Sequence, residues 1–133
     1  MRANRGISRR EVLFRRALWR AGVRGYRVQT RLPGRPDITF PALRLVVFVN
    51  GCFWHRCPVC QPRLPAANAE FWSAKFRENR RRDEEARANL QAAGWDVVTV
   101  WEHEIRPDPS QRALELATMI RSRRLTHSAG TDA

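Results

Sequence analysis

Three cysteines and a histidine lie within the nine residues 52–60, directly after a run of β-branched and aromatic residues. Crowded thiolates with a nearby imidazole are the ligands that zinc selects. Cys52, Cys57 and Cys60 supply three ligands, and a tetrahedral structural site needs a fourth. His55 lies between the cysteines and is hard to place around the same ion, so His103 is the best candidate. The alternative is three buried thiols without a metal.

His55 is then free for another role. A neutral imidazole in a rigid loop is suited to act as a general base near pH 7. Asp83 could orient this imidazole, because it is an isolated carboxylate on the apolar face of a predicted helix and a charge there needs a partner. The alternatives are a surface histidine and an Asp83 that pairs with a nearby arginine.

Two further acidic residues are candidates for a second metal site. Asp37 follows Pro36 at the start of a predicted strand and resembles the first half of the PD-(D/E)xK nuclease signature, whose carboxylate binds magnesium. The next predicted strand, residues 45–50, lacks the acidic-x-Lys half. Glu11 fits the last position of a Ser-x-x-Glu capping box that begins at Ser8. It also shares a helix face with apolar residues, so an inward-pointing Glu11 is equally compatible with the sequence.

The elements that must position these residues follow from periodicity and turn signals. The predicted order is helix, three strands, metal loop, helix, strand, helix, which is an α/β sandwich with a small mixed sheet. The predicted spans are a helix over 8–21, strands over 26–30, 37–40 and 45–49, a helix over 69–92, a strand over 95–101 and a helix from 109 to about 124. We expect a single domain over residues 1–133, with a core at 8–124 and disorder at 1–7 and 126–133.

The formal net charge of +12 favours a polyanionic partner, and nucleic acid is the leading one. The odd count of three cysteines argues against a disulfide framework and for a reduced compartment. No apolar run approaches the length of a membrane span, and no secretory signal is visible at the N-terminus. The aromatic residues Phe53, Trp54 and Trp72 could belong to the core or could wedge between DNA bases.

Several blocks of the chain together resemble the very-short-patch-repair (Vsr) mismatch endonucleases. They are Leu-Pro-Gly-Arg-Pro-Asp at 32–37, Val-Phe-Val-Asn-Gly-Cys-Phe-Trp-His at 47–55, Glu-Phe-Trp at 70–72, Asn-Arg-Arg-Arg-Asp at 79–83, Gly-Trp-Asp-Val at 94–97 and Val-Trp-Glu-His-Glu at 100–104. The resemblance implies a PD-(D/E)xK restriction-endonuclease-like core with a structural zinc loop. It also implies an enzyme that nicks DNA on the 5′ side of the T in a T:G mismatch, which arises when 5-methylcytosine deaminates.

The resemblance also implies residue roles. Asp37 and the backbone carbonyl of Val49 would bind catalytic Mg²⁺, while His55 would activate the water, Asp83 would orient His55 and Glu11 would support the site. The structural Zn²⁺ would be held by Cys52, Cys57, Cys60 and His103. The expected DNA contacts are Phe53, Trp54, Trp72 and Arg35. The chain departs from some members at Val49-Asn50, where they carry Thr-His, and at positions 57 and 103, where cysteine and histidine are exchanged.

The expected partner is double-stranded DNA with a T:G mismatch, acted on by a monomer in the bacterial cytoplasm, with possible mismatch-repair accessory proteins. Two other hypotheses remain open. One is a zinc-stabilised DNA-binding protein without catalysis, and the other is a related nuclease with a different DNA target.

Overall fold

A computed structural model describes the backbone of residues 8–132 and the side chains of residues 8–126. The disorder predicted for residues 1–7 lies outside the described residues. Among the described helices, none combines the length and the apolar character that a bilayer span requires.

Four strands form one mixed sheet in the order β1-β2-β3-β4. The strands are β1 (Arg27–Val28), β2 (Ile38–Phe40), β3 (Leu45–Asn50) and β4 (Asp96–Trp101). β3 pairs antiparallel with β2 and parallel with β4, so the predicted mixed sheet is confirmed. The parallel pair requires a crossover connection, and the metal loop and a long helix provide it.

The first strand is shorter than predicted. The alternating residues 26–30 suggested five strand residues, but β1 contains only Arg27 and Val28, and both are exposed. Gln29 ends the strand because its φ of 52° lies in the left-handed region, which extended backbone cannot include. This bend has a function in the site described below, since it turns the Gln29 side chain towards α1.

Within residues 8–132, four α-helices accompany the sheet, and a short 3-10 helix spans Pro41–Leu43. The α-helices are α1 (Arg9–Arg20), α2 (Ala69–Ala92), α3 (Glu102–Ile105) and α4 (Ser110–Asp132). The short α3 was not predicted, because four residues are too few to show a helical period. The last helix begins as expected, with the Asp108 carboxylate accepting hydrogen bonds from the Ser110 amide and hydroxyl at 3.0 and 2.8 Å. It continues through Asp132, past the predicted end near Arg124.

The two faces of the sheet are covered by different helices. Alternate residues of β3 point to a core that also contains the buried sides of α1 and α4. The fully buried members of this core include Phe14, Leu18, Leu45, Val47, Leu116 and Ile120. α2 covers the opposite face, where the Arg87 guanidinium donates to the Thr99 hydroxyl at 3.0 Å. Only Phe76 and Leu90 of its predicted apolar face are buried, so α2 is a largely exposed helix attached along one narrow stripe.

Two leucines on α4 provide a matched test of this core. Leu116 is 1% exposed and Leu114 is 51% exposed. We expect Leu116→Ala to lower the free energy of unfolding by about 2–5 kcal/mol, because it removes buried methylenes and leaves a cavity. Leu114→Ala should cost less than about 1 kcal/mol. Urea unfolding followed by circular dichroism measures both, and equal losses would contradict the assigned packing.

Candidate active site and metal centre

The loop that follows β3, residues 51–61, carries all three cysteines and brings them to a single histidine. Nδ1 of His103 lies 3.5, 3.6 and 3.4 Å from the sulfur atoms of Cys52, Cys57 and Cys60. The four ligand atoms all lie within 4.8 Å of one another. We call residues 51–61 the metal loop.

Both the metal loop and α3 hold this cluster in place through backbone contacts. The Cys57 amide donates to the Cys52 carbonyl at 2.9 Å, which closes a turn between the first two thiols. The His103 amide points at the Cys52 sulfur at 3.4 Å. The preceding residue, Glu102, accepts a hydrogen bond from the Cys52 amide at 3.3 Å. The unpredicted α3 therefore serves to present His103 and Glu102 to the loop.

The donor set and its spacing fit zinc. Zinc binds sulfur at about 2.3 Å and imidazole nitrogen at about 2.0–2.1 Å in a tetrahedron, which separates sulfur from nitrogen by about 3.6 Å. The distances from His103 to the three sulfur atoms match this separation. Burial raises the pKa of the Cys52 thiol to about 12, so metal binding at neutral pH must displace its proton. The Cys3His cluster can thus hold a metal ion such as zinc.

The next feature is a contact between the loop and α2. Nδ1 of His55 lies 2.7 Å from Oδ2 of Asp83. One helical turn earlier, the Asn79 amide group donates to the Trp54 carbonyl at 3.5 Å. Two residues four positions apart on α2 therefore bind two consecutive residues of the loop. Within the described residues, Asp83 makes no ion pair with arginine, so the arginine alternative for Asp83 is wrong.

Asp37 lies where β2 begins, and the adjacent strand β3 holds its carboxylate. Oδ2 of Asp37 accepts a hydrogen bond from the Val49 amide at 2.6 Å, and the Asp37 amide donates to the Val47 carbonyl at 3.0 Å. The pKa of Asp37 is raised to about 7, mainly by burial. The hydrogen bond from Val49 opposes this rise, and the neighbouring charge of Glu11 adds to it. Two neighbouring carboxylates form a suitable site for a hard cation.

Glu11 points inward, which decides between the two readings of this residue. Its backbone amide donates to the Ser8 hydroxyl at 3.2 Å, so half of the predicted capping box exists. Its side chain does not return to Ser8. It is 2% exposed and accepts a hydrogen bond from the Gln29 amide group at 3.0 Å. The helix start and the site thus use different atoms of the same residue.

The aromatic residues of the loop and of α2 form one cluster. Phe53 lies with its ring centroid 5.3 Å from Trp54, 6.1 Å from Trp72 and 5.3 Å from Phe76. Phe76 is 5% exposed and anchors the cluster, whereas Phe53, Trp54 and Trp72 are only half-buried. The sequence allowed these residues to be either core residues or exposed residues that wedge between DNA bases. In the structure the rings pack on each other and still reach the surface, so neither description alone fits them.

The remaining predicted contact, Arg35, is exposed in the turn before Asp37. Its amide donates to the Leu32 carbonyl at 2.8 Å, and its φ of 49° is left-handed. The turn therefore projects the Arg35 side chain away from the sheet, on the chain segment that leads into the carboxylate pair.

Three supporting residues were not assigned a role from the sequence, namely Gln29, Asn79 and Glu102. Each binds a site residue through a contact between distant parts of the chain. Asn79 carried a weak signal, since its polar side chain shares the helix face with Asp83. Gln29 and Glu102 carried none, because their roles depend on a bend and on a helix that the pattern does not reveal.

These features define a small mixed α/β protein with a Cys3His cluster that could bind a metal, a His-Asp pair, and one buried and one half-buried carboxylate. The family model described as DNA mismatch endonuclease Vsr matches residues 1–61. The chain is 46% identical over 84 residues to the type II nicking enzyme V.XorIIP of Xanthomonas oryzae pv. oryzae, covering 61% of this chain and 62% of that protein.

It is 41% identical over 110 residues to the type II nicking enzyme V.NaeI of Lentzea aerocolonigenes, covering 78% of this chain and 66% of that protein. It is 43% identical over 82 residues to the DNA mismatch endonuclease Vsr of Escherichia coli K12, covering 61% of this chain and 53% of that protein. The chain belongs to the Vsr DNA mismatch endonuclease family, so the family resemblance is confirmed. It spans between about half and two thirds of the length of these three relatives.

The metal cluster generates a first prediction for the site. The protein should contain about one zinc per chain, and His103→Ala should reduce both zinc content and thermal stability, because the cluster loses one of four ligands. His55→Ala is the matched control, since it removes the loop histidine that does not face the three thiols. Elemental analysis and thermal unfolding measure the outcome. Full zinc retention in His103→Ala would contradict the ligand assignment.

The raised pKa of Asp37 generates a second prediction. In the folded chain the pKa is about 7 and its ordinary value is 3.8, so folding favours the protonated carboxyl. Without Mg²⁺, stability from this group is present below about pH 4 and is lost as pH rises towards about 7. Asp37→Asn cannot ionise and can still accept the Val49 bond. Urea unfolding should show wild type losing stability relative to Asp37→Asn between about pH 4 and about pH 7, and a pH-independent difference would contradict this.

Proposed function

We propose that this chain is a DNA endonuclease that depends on Mg²⁺ and nicks the strand 5′ of the T in a T:G mismatch, in very short patch repair of deaminated 5-methylcytosine. The observation that carries the proposal is the 2.7 Å contact between His55 and Asp83, on a loop that the Cys3His cluster holds in place. Family membership supports the same reaction class, because relatives are named as a mismatch endonuclease and as nicking enzymes.

His55 would act as the general base. With Nδ1 hydrogen-bonded to the Asp83 carboxylate, the imidazole is held in the tautomer that leaves the Nε2 lone pair free. His55 is 29% exposed, so water and a phosphodiester can reach the ring. Nε2 would take a proton from the attacking water, and Asp83 would stabilise the imidazolium that forms, as in the histidine-carboxylate pairs of other hydrolases.

Asp37, with Glu11 beside it, would bind the catalytic metal together with the Val49 carbonyl. Their chemistry fits Mg²⁺, because carboxylates and carbonyls are the oxygen ligands that hard cations prefer. A bound Mg²⁺ supplies positive charge that stabilises the phosphorane-like transition state. Gln29 keeps the Glu11 carboxylate in position through its 3.0 Å hydrogen bond.

The zinc would have a structural role. The metal loop has no helix or strand of its own, yet it carries both the proposed base and two of the aromatic residues. A metal held by Cys52, Cys57, Cys60 and His103 ties this loop to α3 at the end of β4. Such a closed four-ligand set leaves no open position for chemistry.

DNA recognition would combine charge with aromatic insertion. The chain carries a formal net charge of +12, which supports sequence-independent phosphate contacts. Phe53, Trp54 and Trp72 present half-buried rings that are supported from behind by Phe76, and supported rings suit insertion beside an unstable base pair. Arg35 would contact DNA from the turn next to Asp37.

The chemical step provides the decisive test. We expect His55→Ala and Asp37→Asn each to slow nicking of a T:G duplex roughly 100-fold or more, and Asp83→Asn to impair it as well. The matched control is Glu84→Gln, which removes the neighbouring carboxylate on the same helix and should nick normally. Single-turnover nicking with zinc content and DNA affinity measured in parallel separates catalysis from folding. Duplex binding without any nicking by wild type would favour the binding-only protein, and nicking of matched duplexes alone would favour another target.

Aromatic insertion makes a separate prediction. Trp54→Ala should reduce the ratio of T:G to T:A duplex affinity more than it reduces affinity for the T:A duplex, because insertion is easiest beside a mismatch. Trp19→Ala is the matched control, since Trp19 is 54% exposed on α1 and stacks on Arg24. Fluorescence anisotropy with Ca²⁺ in place of Mg²⁺ measures both.

Affinity of wild type should also fall steeply with salt, and a flat salt dependence would contradict the charge argument.

A further inference from the structure

Arg10 lies beside the carboxylate pair without making an ion pair. It is the second residue of α1 and precedes Glu11. Its Nε is buried and has no hydrogen-bond partner among residues 8–126. Within the described residues, no carboxylate lies within ion-pair distance of its guanidinium, although both Glu11 and Asp37 are nearby.

The position of the guanidinium is set by a glycine. A Cβ atom added to Gly51 would lie 3.0 Å from Nη2 and 3.1 Å from Cζ of Arg10, so the guanidinium packs directly against the Gly51 backbone. Gly51 is the first residue after β3, and its carbonyl accepts a hydrogen bond from the His55 amide at 3.2 Å. Arg10 therefore reaches from α1 to the point where the central strand passes into the loop that carries His55.

Arg10 also acts on Asp37 electrostatically. Burial raises the pKa of Asp37, and the positive charge of Arg10 is among the influences that lower it. One cation is thus close to two carboxylates, to the end of β3 and to the start of the metal loop. β3 itself, Leu-Val-Val-Phe-Val-Asn, contributes no cationic side chain to this region.

Arg10 is half-buried, and its buried Nε–H without a partner is costly, because desolvation of this charged donor is not offset by a hydrogen bond. A role in neutralising Glu11 or Asp37 would be fulfilled by an ion pair, which this arginine does not form. The accessible part of this half-buried guanidinium is left for an anion that enters the site. Arginine presents a planar fork of N–H groups that matches phosphate oxygens, and such donors stabilise charge that develops on a phosphoryl group.

We propose that Arg10 binds a non-bridging oxygen of the DNA phosphate that a metal ion at Asp37 and Glu11 would hold. This inference rests on the proposed function for the identity of the anion as a DNA phosphodiester. Arg10 is then a substrate-binding residue that contributes a fixed cation next to the metal ligands, on the side of the site formed by α1 and Gly51.

The test combines a protein substitution with the removal of one phosphate charge. T:G duplexes are made with a single neutral methylphosphonate at successive phosphates beside the mismatched T, and their affinities are measured in Ca²⁺ by anisotropy. At one position, we expect wild type to lose about 10- to 100-fold more affinity than Arg10→Gln loses, since a charge-assisted hydrogen bond is present only in the first case. With intact DNA and Mg²⁺, Arg10→Gln should nick about 100-fold more slowly.

Two further variants make the result specific. Arg16→Gln removes the same charge from the exposed side of α1 and should show the same methylphosphonate losses as wild type. Gly51→Ala keeps Arg10 but displaces its guanidinium, so it should reduce the affinity loss at the sensitive methylphosphonate, as Arg10→Gln does. Combining Gly51→Ala with Arg10→Gln should change this loss little further. Gly51→Ala also preserves the test if Arg10→Gln does not fold.

The outcomes separate the two proposals. If Arg10→Gln and wild type lose equal affinity at every methylphosphonate position, Arg10 does not contact phosphate and the inference is overturned. If wild type shows the position-specific loss but nicks no T:G duplex, the phosphate contact stands and the proposed nicking function fails. The binding arm needs no cleavage, so each result bears on one proposal.

Discussion

The contact of three thiols with one imidazole constrains the metal loop, which belongs to neither the sheet nor the helices. Residues 51–61 carry Phe53, Trp54 and His55 but contain no regular secondary structure. Their geometry is set at one end by β3, at the other by the Cys3His cluster and from the side by α2. Since His103 belongs to α3, which continues from β4, the loop is tied to two parallel neighbours of the same sheet. A metal at this position would convert an irregular segment into a rigid support.

The second half of the site depends on strand pairing. Asp37 directly precedes the first residue of β2 that pairs with β3. There its side-chain carboxylate, in place of a backbone carbonyl, accepts the hydrogen bond of the Val49 amide. That bond fixes the carboxylate relative to the strand that leads into the metal loop. Glu11 approaches from α1, and its own orientation depends on Gln29 at the bend after β1. The sheet therefore connects every group of the site, although few of those groups belong to a strand.

Patterns in the chain predicted the elements with long periods and the residues with distinctive chemistry. The spans of α1, α2, β3 and β4 agree with the sequence to within one or two residues, because their apolar residues are numerous and their ends carry glycine or capping signals. The Cys3His set and the proximity of His55 to Asp83 also followed from residue types. The catalytic roles of His55 and Asp83 remain predictions.

What the sequence could not predict are the contacts formed by ordinary residues over long distances. Gln29 reaches Glu11 because of a left-handed residue in a short strand, and no local pattern indicates that. Glu102 and α3 depend on four residues at the end of a strand. Arg10 is one arginine among many, and it is distinguished by its buried Nε and by its contact with Gly51.

The order in which these groups occur along the chain has a consequence for biosynthesis. The site draws on Glu11, Asp37, His55, Asp83 and His103, and each lies on a different element. During translation the three thiols leave the ribosome well before their imidazole partner, and β3 precedes the strand that pairs with it in parallel. Until β4 and α3 have emerged, the loop cannot acquire its final geometry, because the fourth ligand and the pairing strand are both missing. A nascent or truncated chain would therefore hold the separate parts of the site without being able to assemble them.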